Sequence, residues 1–156
     1  MEERWYRPRP GRRTGAGRLP RSLAGWTMAV FGMLAIVLGV VGLIRPTALL
    51  QLLGFAIVPA AERGDEDFTT VFVATSSMAS FNMGIYYLVA VATEWRAFYL
   101  FTVVFRLVTC TVFTALVLTD AAPGRFIGVA AWEGLGAIAT GLALWWERRL
   151  RVFSKP

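Results

Sequence analysis

Two ionisable side chains stand inside long apolar stretches of this chain. Arg106 is the only charged residue between positions 97 and 119, and Glu133 is the only one between 126 and 146. A charge within the hydrocarbon region costs about 2.5–3.5 kcal/mol on insertion scales, so it is kept where it pairs, lines a cavity or acts. An arginine beside a carboxylate can hold a polar head group, stabilise a developing negative charge or support acid–base catalysis.

A third apolar stretch, residues 68–93, carries no charge and has Asn82 near its centre. Helical spacing places Asn82 on one face with Thr75, Ala79 and Tyr86, while the adjacent face carries Ser76, Ser80, Met83 and Tyr87. We expect Asn82 to meet Arg106 and Glu133 in a polar pocket. The candidate ligand-binding residues are Thr75, Asn82, Met83, Tyr86, Arg106, Thr109 and Glu133, and Glu133 and Arg106 become the catalytic residues if the protein is an enzyme.

The composition indicates a membrane protein. Hydrophobic residues make up 56% of the 156 residues and charged residues 17%, and the mean hydropathy is +0.57. Soluble domains carry about 25% charged residues, and a chain this short has little interior in which to bury the excess of apolar side chains. With no histidine and a single cysteine, Cys110, a His-ligated haem, a Ser-His-Asp triad, an internal disulfide and a thiolate metal cluster are excluded. We therefore expect no metal and no cofactor.

The apolar stretches predict four transmembrane helices. A bilayer core about 30 Å thick needs roughly 20 apolar residues. The sequence predicts an all-α, antiparallel four-helix bundle in a domain spanning 23–147, with the membrane spans at about 23–44, 68–93, 97–119 and 126–146. The short links at 94–96 and 120–125 predict that the helices they join are antiparallel neighbours. After the first span, residues 46–58 are predicted to form a short interfacial helix that ends at Pro59.

Basic residues predict the orientation. They concentrate in an N-terminal arm (1–22), in the link 94–96 and in a C-terminal tail (148–156), whereas Arg45, Arg63 and Arg125 lie at the opposite ends of the spans. The positive-inside rule then places both termini in the cytoplasm, at the plasma (inner) membrane. The Arg-, Pro- and Gly-rich arm is predicted to be disordered and to contact membrane lipids, with no nucleic-acid partner expected.

Small residues predict close helix packing in two spans. Gly25, Gly32 and Gly39 repeat every seven residues in the first span, and the last span carries Ala130, Gly134, Ala137 and Gly141. Such seams allow close contact in lipid. The first seam would serve packing within the chain or a homodimer.

The depths of the two charges predict an ion pair. Arg106 lies about two residues on the cytoplasmic side of its span's centre, and Glu133 about three residues on the outer side, so the axial gap is roughly 7–8 Å. A long arginine side chain crosses such a gap. The pair, with Asn82, could equally serve only to fix the register of the helices.

Three short features resemble a known group of proteins. They are the GLIRP run at Gly42–Pro46, the NMGIYY run at Asn82–Tyr87, and the lone arginine and acid in the last two spans. Over residues 25–146 the chain resembles small bacterial four-helix membrane proteins of the DoxX-like and DUF4345-like type. The resemblance implies a helical bundle and a lipophilic partner, since some relatives are associated with quinone-linked oxidoreductases. It assigns no catalytic residue.

Three functions stay open at this point. The protein could bind a lipophilic small molecule such as a quinone, an isoprenoid or a lipid, as an accessory subunit. It could be a metal-free membrane enzyme of the isomerase, cyclase or hydratase type that uses Glu133 as acid or base. It could be a small dimeric transporter. A homodimer or a larger membrane complex is compatible with each.

Overall fold

The computed structural model describes residues 19–153, which form five α-helices and no strand. These are α1 (Leu23–Ile44), α2 (Pro46–Leu52), α3 (Thr69–Ala92), α4 (Arg96–Leu118) and α5 (Ile127–Phe153), with single 3-10 turns at Ala60–Glu62 and Gly124–Phe126. The predicted all-α class is confirmed for this part of the chain. The predicted arm 1–22 and tail 148–156 lie partly outside it, and α5 continues through residues 148–153.

Three helical segments are long and apolar enough to cross a membrane: Leu23–Ile44, Arg96–Leu118 and Gly124–Leu150. The helix α3 is also 24 residues long, but its serine, threonine and asparagine side chains lower its hydropathy, and it is not one of the three. Length and composition therefore confirm membrane-spanning capacity for three of the four predicted spans.

Local polar contacts explain where the helices begin. The Ser22 hydroxyl accepts a hydrogen bond from the Gly25 N–H at 3.0 Å and caps α1. An Asp67 carboxylate oxygen accepts from the Thr69 N–H at 2.9 Å at the start of α3. Hydrogen bonds from Thr69 lower the pKa of Asp67, because they favour its ionised form.

The helix after the first span is shorter than predicted. It ends at Leu52 rather than continuing to Val58, because Gly54 adopts a φ of +89°. This conformation suits glycine and ends helices. A β-carbon at Gly54 would also stand 2.7 Å from the Arg125 β-carbon, so the backbone packs here against the turn before α5.

The glycine seam of α1 packs against α3. A β-carbon at Gly39 would lie 2.8 Å from the Ser77 carbonyl oxygen, and one at Gly84 would lie 2.6 Å from the Gly32 carbonyl oxygen. Only glycine, which has no β-carbon, permits this approach of two helix backbones. Gly32 and Gly39 of the predicted packing face therefore contact α3 within the chain.

The helices α4 and α5 form the other close antiparallel pair. Arg96 meets Glu147 at one end, and Arg106 meets Glu133 further along. The helix α1 joins the two pairs, since the Thr27 and Thr140 hydroxyls lie 3.0 Å apart between α1 and α5.

The predicted neighbours α3 and α4 contact each other close to their short link. There the Tyr99 hydroxyl donates to the Ala90 carbonyl oxygen at 3.2 Å, and the Tyr87 and Phe98 ring centroids lie 6.0 Å apart. Beyond these contacts the two helices separate. The prediction that α3 and α4 are close neighbours is therefore correct only near the link 94–96. Farther from this link, a space opens between the two helices.

Candidate binding cavity

A cavity of about 450 Å³ fills the space between α3 and α4, with α1 and α5 completing its walls. Aromatic side chains from all four helices line it: Phe31, Tyr87, Phe101, Phe105, Phe113 and Trp132. Small-molecule sites are commonly cavities of this size, with apolar walls and a few polar groups.

The Arg106–Glu133 ion pair lies in this cavity. The Arg106 Nε donates to a Glu133 carboxylate oxygen at 2.8 Å, and the exposed fractions of the two side chains are 5% and 23%. The ion pair expected from their depths is confirmed. Because low-dielectric surroundings strengthen the attraction and also penalise each separated charge, removing one partner would be costly.

Packing from α1 and α5 fixes the plane of the guanidinium. The Arg106 Cζ lies 3.5 Å from the Phe31 ring centroid, and Phe31 in turn packs on Trp132 with centroids 4.4 Å apart. On the α5 side, a β-carbon at Gly136 would stand 2.7 Å from the Arg106 Nη2 and would overlap the Phe31 ring. Gly136 therefore provides the space in which the arginine stacks on the phenylalanine.

The guanidinium of Arg106 keeps unused donors. Among the described residues its one hydrogen bond is made by Nε, and the buried Nη1 has no hydrogen-bond partner. Three hydroxyls of the cavity bond to backbone carbonyls: Ser80 to Ala35 at 3.1 Å, Thr102 to Tyr99 at 2.8 Å and Thr109 to Phe105 at 3.0 Å. Since buried donors are normally paired, the guanidinium is the charged group of the cavity with unused hydrogen-bonding capacity.

The structure brings four of the seven candidate residues together. Met83, Arg106, Thr109 and Glu133 line the cavity. The other three candidates on α3 (Thr75, Asn82 and Tyr86) do not line it. Thr75 and Tyr86 are exposed and Asn82 is half-buried, so Asn82 is not placed beside the ion pair as expected.

The rotation of α3 explains this difference. Its buried Ser77 and Gly84 face α1, and this turns the neighbouring face with Ser80, Met83 and Tyr87 toward the cavity. The sequence showed both faces, but it contained no signal that chose between them. Phe31 and Trp132 were missed because aromatic residues in an apolar span look like ordinary packing residues.

A second polar cluster lies where the ends of α1, α4 and α5 meet. A Glu147 carboxylate oxygen accepts from the Ala24 N–H at 3.1 Å, and the other lies 2.7 Å from the Arg96 Nη2 in an ion pair without hydrogen-bond geometry. Glu94 accepts from the Arg21 N–H and the Ser22 hydroxyl at 2.9 and 3.0 Å. These carboxylates serve the otherwise unpaired N–H groups around the start of α1.

No protein-family model, curated protein or solved structure matches this chain. The candidate site thus rests on its own geometry. In the described range 19–153, no three His, Cys, Asp or Glu side chains are grouped so that they could hold a metal ion.

Proposed function

We propose that this chain is a multi-pass membrane protein that binds a lipophilic small molecule in the cavity around Arg106. The helices α1, α3, α4 and α5 cross the plasma membrane as an antiparallel bundle, α2 lies at the outer interface, and both termini are cytoplasmic. The observation that carries the binding function is the Arg106–Glu133 pair, whose guanidinium has an unpaired nitrogen, on the wall of an aromatic cavity.

The exposed apolar surface supports the membrane location. Large apolar side chains face outward along the helices, among them Phe72 at 70%, Leu118 at 77% and Leu135 at 66% exposure. Monomeric soluble proteins rarely expose large continuous apolar patches. In a membrane these side chains contact lipid instead of water, so their exposure carries no hydrophobic cost.

The contact with α1 supports α3 as the fourth span. The two helices pack along their length, from Gly25 beside Glu94 at one end to Gly42 beside Ser77 at the other. Three hydroxyls of α3 donate to its own backbone or to that of α1: Thr75 to Val71 at 2.8 Å, Ser77 to Val73 at 2.7 Å and Ser80 to Ala35 at 3.1 Å. Hydroxyls that are paired in this way can lie at the same depth as α1 in lipid.

Cysteine labelling tests the number of crossings. In a Cys110→Ala background, Gly64→Cys, Trp95→Cys and Gly124→Cys each place one thiol in a loop or link. A β-carbon at Gly64 or Gly124 meets no heavy atom within 4 Å. A membrane-impermeant maleimide should label positions 64 and 124 on intact cells, and position 95 only after permeabilisation. Labelling of 64 and 95 from the same side would show that α3 does not cross.

The lining of the cavity supports a lipophilic ligand. Aromatic walls accept rings or hydrocarbon, while Arg106 supplies the polar anchor that fixes orientation. A quinone, an isoprenoid or a lipid-like molecule combines these two properties. The DoxX-like resemblance agrees with such a ligand and with a role as accessory subunit in a larger membrane complex.

Mass spectrometry of organic extracts from the purified protein tests the binding. We expect a stoichiometric lipophile in the wild type that is lost in Arg106→Met/Glu133→Gln, in which both charges are removed together at similar volume. The matched control is Arg96→Gln, which changes an arginine of the same helix outside this cavity. Equal retention in the double variant, or no specific lipophile in the wild type, would contradict the proposal.

One observation favours a metal-free enzyme as the second candidate. The Glu133 carboxylate lines the cavity beside a fixed guanidinium, an arrangement that could move a proton while Arg106 stabilises developing negative charge. Isomerisation, cyclisation or hydration of the bound lipophile would fit. Full turnover of an extracted molecule by Glu133→Gln would exclude that acid–base role.

A further inference from the structure

The charges that line the cavity balance each other. Arg106 and Glu133 are the only Arg, Lys, Asp or Glu side chains among its lining residues, and they are paired at 2.8 Å. A ligand carboxylate or phosphate would put two anions beside one cation in a low-dielectric space. A ligand cation would approach the guanidinium itself. The balanced pair therefore disfavours both kinds of charged head group.

The unused N–H donors of Arg106 favour a ligand with a neutral hydrogen-bond acceptor. The Arg106 Nε is used by Glu133, its Cζ is covered by Phe31 at 3.5 Å, and its Nη1 has no partner among the described residues. A carbonyl oxygen accepts a hydrogen bond from such an N–H without adding net charge. A bare hydrocarbon would leave the buried donor unpaired.

The aromatic walls of the cavity favour a ligand whose remaining part is apolar, such as a hydrocarbon chain or a flat ring. Phe101 and Phe105 lie with ring centroids 4.4 Å apart on α4, and Phe31 of α1 and Trp132 of α5 line the same cavity. The cavity's hydroxyls on Ser80, Thr102 and Thr109 already donate to backbone carbonyls. A second acceptor on the ligand would therefore have the Tyr87 hydroxyl and the Trp132 indole N–H as donors, both of them neutral.

We infer that the cavity selects neutral lipophiles with a carbonyl-type acceptor over lipophilic acids, and that Glu133 sets this selectivity by neutralising Arg106. The inference rests on the proposed function and adds the chemical class of its ligand. It has a sharp consequence: in Glu133→Gln the guanidinium charge is unbalanced, so the same cavity should prefer a carboxylate.

Two photoreactive probes of equal chain length test this selectivity. One ends in a methyl ketone and the other in a carboxylate, with the diazirine at the same chain position, and both are offered in nanodiscs at alkaline pH. In the wild type we expect the ketone probe to label cavity peptides about tenfold or more over the acid. In Glu133→Gln we expect the acid probe to label more strongly than the ketone.

Two further variants separate folding from recognition. Arg106→Lys keeps the charge balance but removes the Nη1 donor, so ketone labelling should fall without a gain for the acid. Arg96→Gln should behave as the wild type. A wild-type preference for the acid, or no gain of the acid in a folded Glu133→Gln, would overturn the inference while leaving a lipophile site. Absence of labelling by either probe in the wild type would instead count against the proposed function.

Discussion

Within residues 19–153, two arginine–glutamate pairs join the same two helices, and they differ in what surrounds them. Arg96–Glu147 lies at the start of α4, and Arg106–Glu133 lies ten residues further along α4, about 15 Å away along the helix axis. In the first pair the carboxylate also accepts from the Ala24 N–H. In the second pair the Arg106 Nη1 has no hydrogen-bond partner among the described residues, and both side chains line a cavity.

The difference shows that environment, and not residue type, separates a structural pair from a binding site. At the first pair, one Glu147 oxygen accepts from the Ala24 N–H, and the other forms an ion pair with Arg96 without a hydrogen bond, so the contact joins helix ends. At the second pair, α3 and α4 diverge, so one side of the arginine faces a cavity. Four variants test this contrast, and the size of the expected effect differs between them.

Arg106→Ala should have the largest effect on stability. It leaves the Glu133 carboxylate largely buried without a cation, which should lower the free energy of unfolding by about 3 kcal/mol. Arg106→Met/Glu133→Gln removes both charges and should lie within about 1 kcal/mol of the wild type. Reversible unfolding in detergent, followed by circular dichroism, gives both values. Equal losses in the two variants would mean that packing, rather than the unpaired charge, causes the loss.

Gly136→Ala should close the binding site without changing any charge. Its β-carbon would displace the Phe31 ring and the Arg106 Nη2, which should destabilise the protein by about 1–3 kcal/mol through overpacking. Ketone-probe labelling should be lost as well. Gly141→Ala is the matched control on α5, because its β-carbon would meet only the Val103 Cγ1 at 3.6 Å. Unchanged labelling in a folded Gly136→Ala would show that the stacked geometry is not required.

Arg106→Ala tests an ion pair that the sequence predicts, whereas Gly136→Ala tests a three-dimensional contact that the sequence does not predict. Hydropathy and position along a helix can be read directly from the order of residues. They therefore predict α1 at 23–44 and the contact of Arg106 with Glu133, as the structure has them. The rotation of α3 depends on how Gly84 packs against α1, and that is decided by three-dimensional contact. For this reason the choice of Asn82 as the third polar member of the pocket could not be made reliably from the sequence.

Glu147→Ala should have a moderate effect confined to the helix ends. It leaves the buried Ala24 N–H without its acceptor and Arg96 without its carboxylate, which should cost about 1–3 kcal/mol. Glu147→Gln keeps an acceptor oxygen and loses only the negative charge near the start of α1, so about 0.3–1 kcal/mol is expected. Unfolding curves of the two variants measure the difference. Both should retain full ketone-probe labelling, and a loss of labelling would link the two pairs functionally.

Arg96→Gln should have the smallest effect on the free energy of unfolding. Its effect should also depend on salt concentration, unlike that of Arg106→Ala. The Arg96 side chain is 36% exposed, whereas Glu147 is 14% exposed. Glu147 keeps its hydrogen bond from the Ala24 N–H in this variant and water reaches the arginine side of the pair, so we expect a loss of about 1 kcal/mol that is screened within about 10 Å at 0.1 M salt. The wild-type advantage over Arg96→Gln should therefore shrink as salt is raised, whereas the advantage over Arg106→Ala should persist. Unfolding measured at low and high salt tests both halves of this statement. A salt-sensitive Arg106 pair would mean that water reaches it freely, and the cavity would then be a solvated cleft rather than a site for a lipophile.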